Sequence, residues 1–285
     1  MDRFARVGCG WLAIAAAVSV LAACGGGDST TSSSTGSTGS TSSTGSTSTS
    51  TSTATSGTTA VGCMPSVQYV TGYRDSLTFT DASSTVTGGV ASTPVTSSFT
   101  QADTYIGMAT VNGTTVHAMS QTDSGAPSYT YVYYAGVSGN TVTDYGGDNV
   151  TAASGTETVR YMASVDFGIA VGQSKSYSYT RVQTNSAGTV ISSPAVSGSY
   201  TLAAVESVAT GLGTFSNACK ITFAETTANT GYTTTDRYTM WLAQGTGIVL
   251  KYVSTSVDSR TPTQTSSYDY TLSTGSINGV TIAAR

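Results

Sequence analysis

Polar and apolar residues alternate with period two in several stretches beyond residue 61. Residues 175–182 read Lys-Ser-Tyr-Ser-Tyr-Thr-Arg-Val, and residues 237–242 read Arg-Tyr-Thr-Met-Trp-Leu. Such alternation puts one set of side chains on each face of a β-strand. Residues 105–111 and 114–119 flank Asn112-Gly113. That dipeptide is a strong hairpin signal, because both turn residues must take positive φ. Residues 129–134 lead through Ser138-Gly139-Asn140 into 141–145, a second hairpin. A third joins 237–242 to 248–253 across 244–247, where Gly245 and Gly247 suit a tight reversal. Residues 268–272 and 280–283 complete the set. Residues 201–208 come nearest to a helix, but the stretch is short with β-branched residues nearby, so it reads as strand.

Successive hairpins make an antiparallel meander, which buries one face and wets the other. With no helical period to cover the buried face, the sheet must curl on itself or pack on a second sheet. The expected fold is all-β: a strongly curved antiparallel meander, half-barrel or sandwich. It occupies residues 61–285, as one domain or as two sub-modules divided at about 150.

The front of the chain is patterned differently. Residues 25–60 are almost entirely Gly, Ser, Thr and Ala, with Asp28 the only charge. They have too little apolar surface to offset their ordering entropy, so the segment reads as a flexible linker. Its typical span is about 30–35 Å. Upstream, Arg3 and Arg6 precede the apolar residues 11–21, and Ala22, Ala23 and Cys24 follow. The apolar run is about half the roughly 20 residues that span a bilayer as a helix, so it fits a cleaved secretory signal.

Leu21-Ala22-Ala23-Cys24 resembles the lipobox of bacterial lipoproteins. The resemblance implies a signal peptide at 1–23, cleavage before Cys24, and diacylglycerol on the Cys24 thiol. Two or three acyl chains of the palmitate kind hold stably to a membrane where one does not. Gly25, in place of the Asp that retains such proteins at the inner membrane, implies the outer membrane of a two-membrane cell. The membrane is thus one expected partner.

Only 9% of residues are charged and the net charge is −4. Basic residues are scattered singly, which excludes a nucleic-acid footprint. Cys9 falls within the signal, leaving Cys63 and Cys219 beside the lipidated cysteine. In an exported chain two such thiols pair more often than not; the alternatives are free thiols or a redox pair, which usually has Cys-x-x-Cys spacing. Pairing closes a loop of about 155 residues, worth on the order of 4–5 kcal/mol.

Phe167-Gly-Ile-Ala-Val-Gly-Gln-Ser, Gly213-Thr-Phe-Ser-Asn-Ala-Cys-Lys and Trp241-Leu-Ala-Gln-Gly-Thr-Gly-Ile-Val-Leu-Lys resemble a module of uncharacterised bacterial exported proteins and lipoproteins. Lys175 stands where that module has an aromatic, and Leu250 precedes the final lysine. The resemblance implies a curved antiparallel sheet, similar to the half-barrels of the periplasmic lipoprotein carrier and its outer-membrane receptor. It implies no activity. Phe215 and Trp241 read as core anchors.

Candidate chemistry is sparse. A hydrolytic triad would need His117, the single histidine, and no Gly-x-Ser-x-Gly elbow accompanies it. Asp75, Asp144, Asp166, Glu206 and Glu225 are carboxylates from which a glycosidase pair could be drawn, but no spacing selects one. Asp144, Asp148 and Asn149 are weak candidates for calcium, in what reads as a polar turn. Tyr129, Tyr131, Tyr133 and Tyr134 could form a stacking platform or line a cavity, although strands favour tyrosine anyway. No cofactor is implied. The expected function is a membrane-anchored, non-catalytic β domain that binds an envelope component or has a structural role. The alternatives are a carrier or chaperone for a lipid or other apolar ligand, and, least supported, an enzyme acting on glycan or peptide. An apolar hollow would suit the carrier, and a filled core with a polar surface would suit the binding domain.

Overall fold

A computed structural model describes residues 58–126, 129–151 and 155–284. Cys24, the signal and the linker to residue 57 lie outside the described residues.

The chain forms one strongly curled antiparallel sheet of half-barrel form, as the hairpin pattern predicts. The first half is a meander of β1 (Asp75–Thr87), with its short return β2 (Val90–Ala91), then β3 (Val95–Val111), β4 (Thr114–Asp123), β5 (Tyr129–Ser138), β6 (Thr141–Thr151) and β7 (Gly155–Asp166). The second half contains β8 (Ser174–Thr180), β9 (Val182–Thr184), β10 (Val190–Ser192), β11 (Ala195–Thr210), β12 (Gly213–Asn229), β13 (Tyr232–Leu242), β14 (Val249–Asp258), β15 (Gln264–Ile277) and β16 (Val280–Thr281). Asn112 and Gly113 take φ of 50° and 79° between β3 and β4, as the turn requires. Residues 201–208 are strand, within β11.

Two long-range pairings make the sheet continuous across both halves. β1 pairs with β3 on one side and with β15 on the other, along its whole length. At the opposite side, β8 pairs with β11, and the chain bends at Arg181 so that β9 pairs with β7. The two edges of the curl are thus joined by the chain at one short seam, Thr158–Arg160 against Val182–Thr184.

The inner face is filled. Aromatic rings from successive strands touch in an unbroken belt from Tyr161 through Tyr179, Tyr177, Tyr200, Phe223, Tyr238, Tyr252, Tyr270 and Phe79 to Phe99. Their centroids lie 4.5–6.3 Å apart, the spacing aromatic pairs favour. Leu202, Leu242, Leu250 and Leu272 are fully buried on one side of it. That end is closed by the segment before β1, which forms two short 3-10 turns, Val61–Cys63 and Ser66–Gln68. Its Ala60, Cys63, Tyr69 and Tyr73 are buried. Cys63 is bonded to Cys219 of β12, with Cα atoms 6.1 Å apart. Gly247 packs under this cap at φ 67°, where a Cβ would come 2.7 Å from the backbone of Pro65.

Residues 144–149 are not the polar turn expected from sequence. They lie inside β6, which bulges between Asp144 and Gly146. The adjacent glycines have a packing reason: a Cβ on Gly147 would come 2.5 Å from the Tyr131 ring and 2.5 Å from the Val132 carbonyl. Gly147→Ala should therefore lower unfolding free energy by about 2 kcal/mol, as overpacking of a full core does. Urea denaturation checks this, and an unchanged midpoint would mean the Tyr131 ring yields freely.

Trp241 is not the core anchor expected of it. Phe215 is buried, but Trp241 points outward and packs only in part against the core. The register explains this: buried Met240 and Leu242 flank it, so the pleat turns Trp241 out.

Candidate functional site

The outward faces of β8, β11, β12, β13 and β14 carry small hydroxyl residues at alternate positions. One row across the strands runs Ser176–Ser199–Ala224–Arg237–Thr255. The next runs Ser174–Thr201–Thr222–Thr239–Val253. These residues floor a hollow of about 780 Å³ and an adjoining one of about 310 Å³, which share Ser199, Ala224 and Arg237. Inside the sheet, the hollow between Asp75, Asp103 and Tyr133 is about 20 Å³, room for about one water.

Arg237 is exposed at the centre of the outer hollow. Among the described residues it makes no ion pair or side-chain hydrogen bond. One row further on stand Lys220, Trp241 and Lys251. The two ammonium groups lie 5.2 and 5.3 Å from the Trp241 ring centre. Trp241 Nε1 donates to Glu206 Oε1 at 2.8 Å, and Lys220 is 3.5 Å from the same oxygen.

Behind the floor, on the inner face, Glu225 and Asp236 sit directly opposite each other in the β12/β13 ladder. Both are buried. The Tyr177 hydroxyl donates to Glu225 Oε2 at 3.0 Å, and Tyr179 does so at 3.4 Å. Burial, with Asp236 opposite, pushes the Glu225 carboxyl up to about 7 against the opposing effect of Tyr177 and Arg181. Burial likewise raises Asp236 to about 6, although Ser256 and Arg181 favour its ionised form. Glu225 Oε1 and the Thr227 and Thr234 hydroxyls are buried beside them without a hydrogen-bond partner among the described residues. A second buried pair lies nearer the cap. Asp75 accepts from Tyr73 at 2.6 Å and from the backbone N–H of Asp103 at 3.2 Å. Gln101 and Gln121 donate to Asp103.

The carboxylates singled out from sequence are dispersed rather than brought together. Asp75 lies under the cap. Asp144 is inside, accepting from Tyr161 at 2.9 Å. Asp166 is paired with Lys175. Glu206 is outside, bonded to Trp241. The pairing partners, Asp236 for Glu225 and Asp103 for Asp75, escaped the sequence reading. One of them was within reach: Glu225 and Asp236 are equidistant from the Thr230-Gly231 turn, so a tight hairpin sets them face to face. Arg237 and the hydroxyl rows were also missed, and the signal was the period-two Ser and Thr of these strands.

The weak calcium candidates Asp144, Asp148 and Asn149 are divided by the pleat. Asp144 points inward to Tyr161, whereas Asp148 bonds Arg160 and Tyr134 on the outer face. The tyrosine cluster divides likewise: Tyr131 and Tyr133 are buried inside, and Tyr134 lies under Arg160 outside. His117 stacks on Tyr69 of the cap at 5.2 Å and meets the Tyr105 hydroxyl at 3.3 Å. Its neighbours are thus two tyrosines, not the serine and carboxylate of a triad.

No protein-family model matches the chain, and no curated protein matches it in sequence. Two solved structures overlap it loosely, each at 10% identity, covering 70% of this chain and 99% of theirs. One is described as "Asymmetric conductivity of engineered proteins", at a TM-score of 0.26. The other is a mutant of Rh. blastica porin, at 0.25. Overlap at this level carries no inference.

Proposed function

We propose that this chain is an exported lipoprotein, anchored to the outer membrane through lipid on Cys24, with a non-catalytic β domain that binds an envelope component. The binding surface is the outward face of β8, β11, β12, β13 and β14. The observation that carries this reading is the contrast between a filled interior and a hydroxyl-lined outer hollow centred on an unpaired arginine. An apolar-ligand carrier needs the reverse arrangement, with a greasy lumen. The Cys63–Cys219 bond supports an oxidising compartment. The cap also lies at one end of the sheet, so a leader tethered there leaves the side wall clear.

Two measurements test the reading. Cys24→Ala, expressed in the host, should leave the outer-membrane fraction for the soluble fraction and lack the mass of diacylglycerol. Unaltered partition and mass would refute the anchor. Arg237→Glu should reduce co-sedimentation of the purified full chain with envelope fragments by about tenfold or more, the loss of one charge-assisted pair and its replacement by repulsion. Retention at the wild-type level would refute the binding face.

A further inference from the structure

We infer that the ligand of this face is a linear acidic polysaccharide, an inference that rests on the binding role proposed above. Three features of the face select that chemistry. First, its floor is hydroxyl. Ser and Thr side chains donate and accept, and so do sugar hydroxyls, so each can exchange hydrogen bonds with the other in either sense. An acyl chain would gain nothing there, since it needs apolar area. Second, the rows run across the strands, and neighbouring strands lie about 4.8 Å apart. A sugar chain laid across them advances by close to one unit per strand, so each unit meets an equivalent hydroxyl. Ala224 within the row raises only a methyl above the floor, so a chain can lie close to it.

Third, the face carries a few cations, of which Arg237 stands apart from the Lys220 and Lys251 pair around Trp241. Arg237 projects from one row next to Ala224, exposed and unpaired, free to take a carboxylate with two of its guanidinium nitrogens. At the edge, Trp241 offers a part-exposed ring between Lys220 and Lys251. Its position is fixed by Glu206, and Asp269 lies one strand beyond Lys251 and Val253. Against these two acids stand three cations, in a protein of net charge −4. The face is therefore a local positive area on an acidic molecule, which draws anions. Three cations, one of them already paired with Glu206, are too few for a phosphodiester backbone, whose charges recur at every nucleotide. They suit a glycan that carries a carboxylate on some or all of its sugar units.

Trp241 also reports on the site. The other tryptophan, Trp11, lies in the leader, so the emission of the processed chain comes from Trp241 alone. The full processed chain is titrated with polygalacturonate oligomers, with dextran oligomers of equal length, and with vesicles of phosphatidylglycerol, each followed by tryptophan emission and calorimetry. The expected result is saturable binding of polygalacturonate that shifts the emission, weakens with salt, and is weaker by about tenfold in Arg237→Gln at unchanged melting temperature. Equal affinity for dextran would overturn the acidic assignment, and a preference for the vesicles would overturn the glycan. Absence of binding, or binding indifferent to Arg237→Gln, would overturn both. If glycan binding is absent while Arg237→Glu still abolishes envelope co-sedimentation, the ligand class falls and the binding face stands. If neither responds, the face itself is wrong.

Discussion

Replacing Cys63 and Cys219 together by alanine lowers the melting temperature by about 10–15 °C. The two cysteines are 156 residues apart in sequence. Freeing so long a loop restores on the order of 4–5 kcal/mol of chain entropy to the unfolded state. In a domain of this size each kcal/mol moves the midpoint by roughly 2–4 °C. The position of the bond adds a local consequence. Its removal releases the disulfide cross-link on the cap, whose Ala60, Tyr69 and Tyr73 belong to the same buried core as Leu242 and Leu250. Hydrogen exchange should therefore quicken in residues 58–73 well before β12 or β13 responds. Calorimetry and exchange mass spectrometry read the two effects separately. An unchanged midpoint would mean that packing alone, including the fit of Pro65 over Gly247, holds the cap.

The second large effect is a loss of stability between about pH 4 and pH 7. Glu225 and Asp236 hold their protons in the folded chain up to about 7 and about 6, against ordinary values of 4.5 and 3.8. Burial raises Asp75 and Asp103 in the same direction. Between the ordinary and the raised values the folded state binds more protons than the unfolded state. Stability therefore falls as pH rises through that window. Glu225 alone contributes on the order of 3 kcal/mol to the fall, at about 1.4 kcal/mol per unit. The acid limb has the opposite sign. Lys175 holds Asp166 below its ordinary value, and Arg260 does the same for Asp258. Their contribution is present above pH 3.8 and is lost as the solution becomes more acid, and it is small because the cationic partners, Lys175 and Arg260, are exposed. Stability should thus peak near pH 4. Glu225→Gln should flatten the fall and raise the denaturation midpoint at pH 7.5. A profile that rises from pH 5 to pH 7.5, or a variant as pH-sensitive as the parent, would contradict the assignment.

The local architecture was legible because it is written in neighbours. Asn112-Gly113 gives a hairpin wherever it stands between strands, and period-two alternation sorts inner from outer residues. What could not be read is pairing between distant segments. Nothing near Asp75–Thr87 marks β15 as its partner, since the register is set by the whole set of curled strands. The bend at Arg181, where one strand serves both edges of the curl, is equally silent in sequence. Bulges caused the errors at the site. The irregularity between Asp144 and Gly146 keeps a polar, glycine-rich stretch inside a strand, and such a stretch otherwise looks like a turn. Trp241 misled for a different reason: a large ring suggests a core, but its parity beside Met240 and Leu242 puts it outside.

The disulfide also decides how the domain bears mechanical load. A pull on the chain ahead of residue 58 first meets the bridge between Thr59 and Ala170, then Cys63, and there the force crosses sulfur to Cys219. It enters β12, which is hydrogen-bonded on both sides, to β11 and to β13. The remaining cap and β1 are bypassed, so tension shears an inner strand between two neighbours instead of peeling the sheet from its first strand. In single-molecule extension from the N-terminus, the oxidised chain should therefore resist at a higher force than the reduced one.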